Sequence, residues 1–160
     1  VGCMEFGGCF LNKRLNRNND GGTTRRTTDI FQLATTVLFQ NPVQNFALAP
    51  NNLKDVSPVC MDYMKTVPTT WDETCFIDGY PGKYVVLARR HGNTWYLAAV
   101  NAGKEIVKLK LDLDMFAGKT VSLYKDDKKG EPQLVTLKVK ESGKVQLEIL
   151  PQGGVVLVNN

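Results

Sequence analysis

The residue pattern predicts an α+β chain in two parts, a helical segment up to Pro68 and an all-β antiparallel sandwich from Thr69 onward. Three observations carry the expectation. Apolar residues recur at helical spacing over 30–38, and they alternate with charged ones at a period of two over 107–114. The grammar changes from helix and loop to strand at Val67-Pro68-Thr69-Thr70. Residues 1–68 read in the order loop, helix, short strand, helix, which matches the last βα units of a (β/α)8 barrel.

The opening stretch, Gly7 to Arg26, is rich in Gly and Asn and lacks the apolar periodicity to pack alone. Loops of this length are functional or unstructured. Ile30, Leu33, Ala34, Val37 and Leu38 then form one helical face, with Thr28 or Asp29 as cap and Pro42 as stop. Val43 to Ala49 is expected to be a short strand carrying Phe46 and Leu48. Ser57-Pro58 opens a second helix, serine as cap and proline in the first turn, where its missing N–H costs nothing. One short strand cannot satisfy its backbone groups alone, so the segment is expected to be a fragment whose partners precede it. The alternative is a small helical subdomain packed on the β half.

From Trp71 onward nearly everything reads as strand. Lys83–Arg90 and Thr94–Asn101 are joined by the glycine-bearing turn His91-Gly92-Asn93. Val107, Leu109, Leu111 and Leu113 alternate with Lys108, Lys110, Asp112 and Asp114, one face apolar and one wet. Val121 and Leu123 form the next strand, and Asp126-Asp127-Lys128-Lys129-Gly130 a polar turn. Val135, Leu137 and Val139, then Val145, Leu147 and Ile149, repeat the alternation, and Val155–Val158 ends the set. About seven short strands with regular turns suggest a sandwich.

Composition narrows the function classes. Hydrophobic residues make up 42% and charged residues 22%, a globular balance. No apolar run approaches the roughly 18 residues of a membrane span, and Val1-Gly2-Cys3-Met4-Glu5 shows no leader pattern. The net charge of +4 is mild. Lys13, Arg14, Arg17, Arg25 and Arg26 cluster without interleaved aromatics, which reads as a solvated loop and argues against nucleic acid. Cys3, Cys9, Cys60 and Cys75 show no C-x-x-C spacing and His91 is the single histidine, so structural zinc is not expected and free thiols are.

The segments Val67-Pro68-Thr69-Thr70-Trp71-Asp72-Glu73-Thr74, Gly82 to Arg90 and Asn93-Thr94-Trp95-Tyr96 resemble glycoside hydrolase family 97. Gln32-Leu33-Ala34 through Asn41-Pro42-Val43-Gln44 and Leu123-Tyr124-Lys125-Asp126 are also similar to that family. The resemblance implies a parent enzyme with an N-terminal β domain, a (β/α)8 barrel and a C-terminal β domain. It implies cleavage of α-glucosides or α-galactosides, a calcium ion near the catalytic carboxylates, and a periplasmic or secreted location. This chain would supply the C-terminal remnant of the barrel (1–68) and the β domain (69–160), and would be inactive alone. Its partners would be the upstream barrel and N-terminal β domain, and an oligosaccharide or other α-glycoside as substrate.

Glycoside cleavage generally uses two carboxyl groups flanking the scissile bond. Glu5, in Cys3-Met4-Glu5-Phe6-Gly7-Gly8, matches the family's G-x-E glutamate. The resemblance makes it a candidate general acid and calcium ligand; the bland alternative is a loop glutamate. Asn51 and Asn52, with Asp55, follow the last barrel-like strand and are candidate substrate-cleft residues. Asp72 and Glu73 are rejected as a catalytic pair because they sit at the domain junction. Trp71, Trp95 and Tyr96 are expected to fill the core or the interface rather than stack on sugar, and His91 to be a solvated loop residue. Three functions compete: an enzyme remnant whose β domain braces the barrel, a structural cap, and an independent carbohydrate-binding module.

Overall fold

A computed structural model describes residues 11–14, 21–40, 42–48 and 50–159. Helix α1 spans Asp29–Leu38, and Thr28 caps it by accepting the Phe31 N–H. The helix closes at Leu38, ahead of Pro42. Helix α2 spans Pro58–Met64, with Ser57 as cap and Pro58 in its first turn. Eight strands follow: β1 Glu73–Tyr80, β2 Tyr84–His91, β3 Thr94–Asn101, β4 Val107–Asp112, β5 Thr120–Asp126, β6 Pro132–Lys138, β7 Lys144–Ile149 and β8 Gly154–Asn159.

The described chain is mostly antiparallel sheet. Six strands form one sheet in the order β1-β2-β3-β8-β5-β6, and β4 pairs with β7 in a second. The chain crosses to the small sheet for β4, returns for β5 and β6, crosses again for β7, and threads β8 between β3 and β5. Strands β3 and β8 are therefore central and covered on both faces. Leu97, Ala99, Val155 and Leu157 point toward the small sheet, where they meet Leu109, Leu111, Leu147 and Ile149. Tyr96, Ala98, Val100 and Val156 point the other way, onto α1 and α2.

Three layers result: helices, the large sheet and the small sheet. Ile30, Leu33, Ala34 and Val37 of α1 are fully buried against the sheet, and Cys60 and Tyr63 of α2 complete that second core. Leu11, from the polar opening stretch, joins them. The helical residues before Pro68 thus share one interior with strands after it.

Two expectations need correction. Residues 43–48 form no strand; only Gln44 makes an isolated bridge, and the segment leads into a 3-10 turn, Pro50–Asp55. Pro42 and Pro50 bracket the segment and remove ladder donors at both ends. Val135 was expected in the core but is 37% exposed, with Leu134 at 48%. The reason is that β6 is an edge strand, paired among the described residues only to β5.

Candidate functional site

Both ends of α1 are fastened to the large sheet by buried polar groups. At the N-terminal end the fastening residue is Asp126, the last of β5. Its Oδ2 accepts the Thr28 hydroxyl at 2.9 Å and the Gly154 N–H at 3.0 Å. Asp126 Oδ1 is buried without a partner. Burial pushes the carboxyl up to about 6; the two hydrogen bonds pull it down, while Asp29 and Asp127 push it up again. Beside it, Arg25 forms a buried ion pair with Asp29 and donates to the Thr28 carbonyl at 2.8 Å. The Thr28 N–H donates to Gln152 O at 3.1 Å, and the Arg25 N–H to Lys13 O at 2.7 Å.

At the other end stands Arg89 of β2, 4% exposed. It donates to the carbonyls of Phe39 at 3.0 Å and Leu38 at 3.4 Å, where α1 leaves acceptors unfilled. A cation there also meets the negative end of the helix dipole. Burial lowers the Arg89 pKa, and its Nε has no partner. The guanidinium lies 5.9 Å from the Trp71 ring centroid, and Trp71 meets Tyr96 edge-on at 5.3 Å. Trp71, Arg89, Thr69, Thr74 and Gln40 line a cleft of about 200 Å³.

The residues singled out from sequence do not converge on this arrangement. Glu5 lies outside the described residues, as do residues 7–10 and 15–20 of the opening loop. Asn51 and Asn52 have their backbone in the 3-10 turn, and their side chains are outside the description. Asp55 ends that turn, exposed. Asp72 and Glu73 bind Arg90 at 3.7 and 3.2 Å, and Asp72 also accepts the Gly92 N–H at 2.7 Å. His91 ends β2, exposed, with Nδ1 2.9 Å from Thr70 O. Trp95 packs against the core between the sheets. Cys60 is buried and Cys75 half-buried, and Cys3 and Cys9 lie outside the described residues.

Sequence reasoning missed Asp126 and Arg89. Asp126 opens the run Asp126-Asp127-Lys128-Lys129-Gly130, which reads as a wet turn. Arg89 carried a usable signal: in β2 it shares a face with Val85, which packs on the helices, not with Val86 and Ala88. Among the described residues no three His, Cys, Asp or Glu side chains gather to hold a metal ion. The buried acids and bases in view hold helix to sheet, and the aromatics once weighed for sugar stacking are engaged in packing.

This is an antiparallel β domain with a helical layer clamped to it, whose visible polar sites serve structure. Residues 70–158 match the family model described as glycosyl-hydrolase 97 C-terminal, oligomerisation, and the chain belongs to glycoside hydrolase family 97. It is 84% identical to the protein in a crystal structure of a β-arabinopyranosidase, with a TM-score of 0.95, over 98% of this chain and 25% of that one. A family 97 enzyme from Pseudoalteromonas sp. strain K8, solved with acarbose, is 26% identical with a TM-score of 0.81, over 99% of this chain and 26% of that one. A retaining α-galactosidase of Bacteroides thetaiotaomicron is 28% identical over 135 residues, 79% of this chain and 20% of that protein. The chain spans between 20% and 26% of the length of these relatives.

Proposed function

We propose that this chain is the C-terminal part of a glycoside hydrolase acting on galacto-configured substrates, either α-galactosides or their pentose counterparts, β-L-arabinopyranosides. The observation that carries the reading is 84% identity to a β-arabinopyranosidase across nearly the whole chain. A β-L-arabinopyranoside has the ring configuration of an α-D-galactoside and lacks only the exocyclic CH2OH. One pocket geometry therefore suits both, and the similarity to an α-galactosidase points the same way. α-Glucosides, which differ at the C4 hydroxyl, are the alternative.

Residues 1–68 are read as the end of the catalytic barrel and 69–160 as the β domain that braces it. The family match beginning at residue 70 supports that division. The clamps at Asp126 and Arg89 support bracing, because they tie α1 to the sheet at both ends. Glu5 is the candidate general acid, protonating the leaving oxygen while a second carboxylate outside this chain attacks carbon or activates water. Calcium, a ligand for oxygen donors, would supply fixed positive charge beside these groups, with Glu5 as one donor. The described residues provide no metal site of their own.

The test is an assay of the enzyme carrying this chain at its C-terminus, with nitrophenyl β-L-arabinopyranoside, α-galactoside and α-glucoside. The first two are expected to show the higher kcat/KM, and the 160-residue chain alone no turnover. Glu5→Gln is expected to lower kcat about 1,000-fold on poor leaving groups. An unchanged kcat removes Glu5 from the reaction, and preference for the glucoside removes the galacto reading.

A further inference from the structure

We propose that the β1 edge of the large sheet, centred on Phe76 and Tyr80, is the face through which a second copy of this chain binds. The proposal rests on the family reading, whose C-terminal region is described as oligomerisation, and adds the surface.

Among the described residues β1 is an edge strand, paired only to β2. Phe76 is 68% exposed and Tyr80 59%, the two most exposed large apolar side chains described. They flank a cleft of about 360 Å³ floored by Gly79, Val85 and Val100, at the margin of the helical layer. Gly79 keeps the cleft open: a Cβ there would lie 3.3 Å from the Phe76 ring and 3.0 Å from the Tyr84 carbonyl. Exposed aromatics beside an apolar cleft are the usual anchors of protein interfaces. The register shift between Phe76 and Asp78 breaks the edge, which disfavours sheet-to-sheet extension and leaves side-chain packing as the mode of contact.

The family description points to a second copy as the occupant, and the charge at the cleft permits it. A chain of net charge +4 repels itself unless two copies meet where few lysines stand. Among the residues lining the β1 cleft the one charged side chain is Lys83, whose ammonium sits 4.6 Å from the Tyr80 ring centroid, and the Asp78 carboxylate accepts the hydroxyl of Tyr84 in the same lining. A two-fold contact sets the same patch against itself, and this patch does so without opposing unscreened like charges. Greater exposure and the cleft separate it from Leu134 and Val135 on the β6 edge, and position in the chain from Phe39, Val43 and Leu53. Those three precede residue 70 and belong with the proposed barrel segment; Phe76 and Tyr80 lie inside the matched region. Stable dimers bury roughly 800 Å² per partner, so the cleft is the anchor of a larger contact whose rim is the β1 edge and the Pro81–Lys83 turn.

Sedimentation of the 160-residue chain across about 1–100 µM tests this. A dimer is expected. Phe76→Asp with Tyr80→Asp is expected to weaken it roughly 100-fold with little change in Tm, since both side chains are exposed; Leu53→Asp is expected to leave it intact. A photo-crosslinking residue at position 80 is expected to join two chains. A dimer that survives the double substitution, or that Leu53→Asp dissolves, overturns the surface while the oligomerisation reading stands. A monomer at every concentration overturns both.

Discussion

The Asp126 carboxylate at the end of β5 holds the Thr28 hydroxyl at 2.9 Å, and the same hydroxyl oxygen accepts the Phe31 N–H at 3.1 Å. One side chain thereby caps α1 and ties it to a strand 98 residues away. The cap satisfies a free N–H of the first helical turn. The tie fixes where that turn sits on the sheet.

This arrangement makes stability depend on pH in a definite direction. Burial raises the Asp126 carboxyl to about 6, whereas an unfolded aspartate titrates near ~3.9. The folded chain therefore holds the proton more tightly. The stabilising contribution is complete below about pH 4 and is lost as pH rises through about 6. Asp126→Asn removes the titration and retains an oxygen for Thr28 and Gly154. Its stability relative to the parent chain is expected to rise by about 1–3 kcal/mol between pH 4 and pH 8. Urea midpoints at the two pH values check this; a pH-independent difference would remove Asp126 as the titrating group.

Gly154 begins β8 where the strand passes the backbone of α1. An added Cβ would lie 2.8 Å from Phe31 Cα and 2.9 Å from both Phe31 N and the Ile30 carbonyl oxygen, all main-chain atoms. Gly154→Ala must push the helix off the sheet, at an expected cost of about 2–4 kcal/mol. Gly92→Ala meets nothing within 4 Å and bears only the strain of its φ of +57°, about 1 kcal/mol. Thermal unfolding of the two variants should separate them clearly, and equal losses would refute the close approach.

Arg89 fills two carbonyls at the C-terminal end of α1. Arg89→Leu removes both hydrogen bonds from the end of α1 and is expected to cost about 1–3 kcal/mol. Arg89→Lys keeps the charge but not the planar fork, so it should fall between. A midpoint for Arg89→Leu as high as that of the parent chain would show that water fills the carbonyls without loss.

Residues 69–160 expressed alone would expose Tyr96, Ala98, Val100 and Val156, the face that α1 and α2 cover. That segment is expected to bind a hydrophobic dye and to unfold at lower denaturant than the 160-residue chain. Identical midpoints without dye binding would show that the helices add nothing to the sheet's core.

Much of the local structure was legible. Thr28 and Ser57-Pro58 announced two helices, and the alternation in Val107-Lys108-Leu109-Lys110-Leu111 announced β4. Strand β1 was blurred because Asp78 and Gly79 interrupt its pattern near the register shift. The apolar run Trp95 to Val100 held a sign that went unread. An antiparallel strand with one wet face alternates, and one without alternation needs cover on both sides. That run calls for a layer on each face of β3, and the helices before Pro68 are one of them. The proposed catalytic residue Glu5 was legible only through family likeness, since one carboxylate in a glycine-rich loop has no spacing to mark it.

What the sequence alone determined is the two helices with their caps and most of the later strands, because caps, turns and periodicity act among residues a few positions apart. The tertiary structure decided the strand order, the seating of α1 on β3 and β8, and the burial of Asp126 and Arg89. These rest on pairings such as Leu97 with Leu157 and Leu123 with Leu157, between residues far apart in the chain. Whether a carboxylate ends in water or under a helix depends on which strand lies beside it, and no local pattern encodes that neighbour.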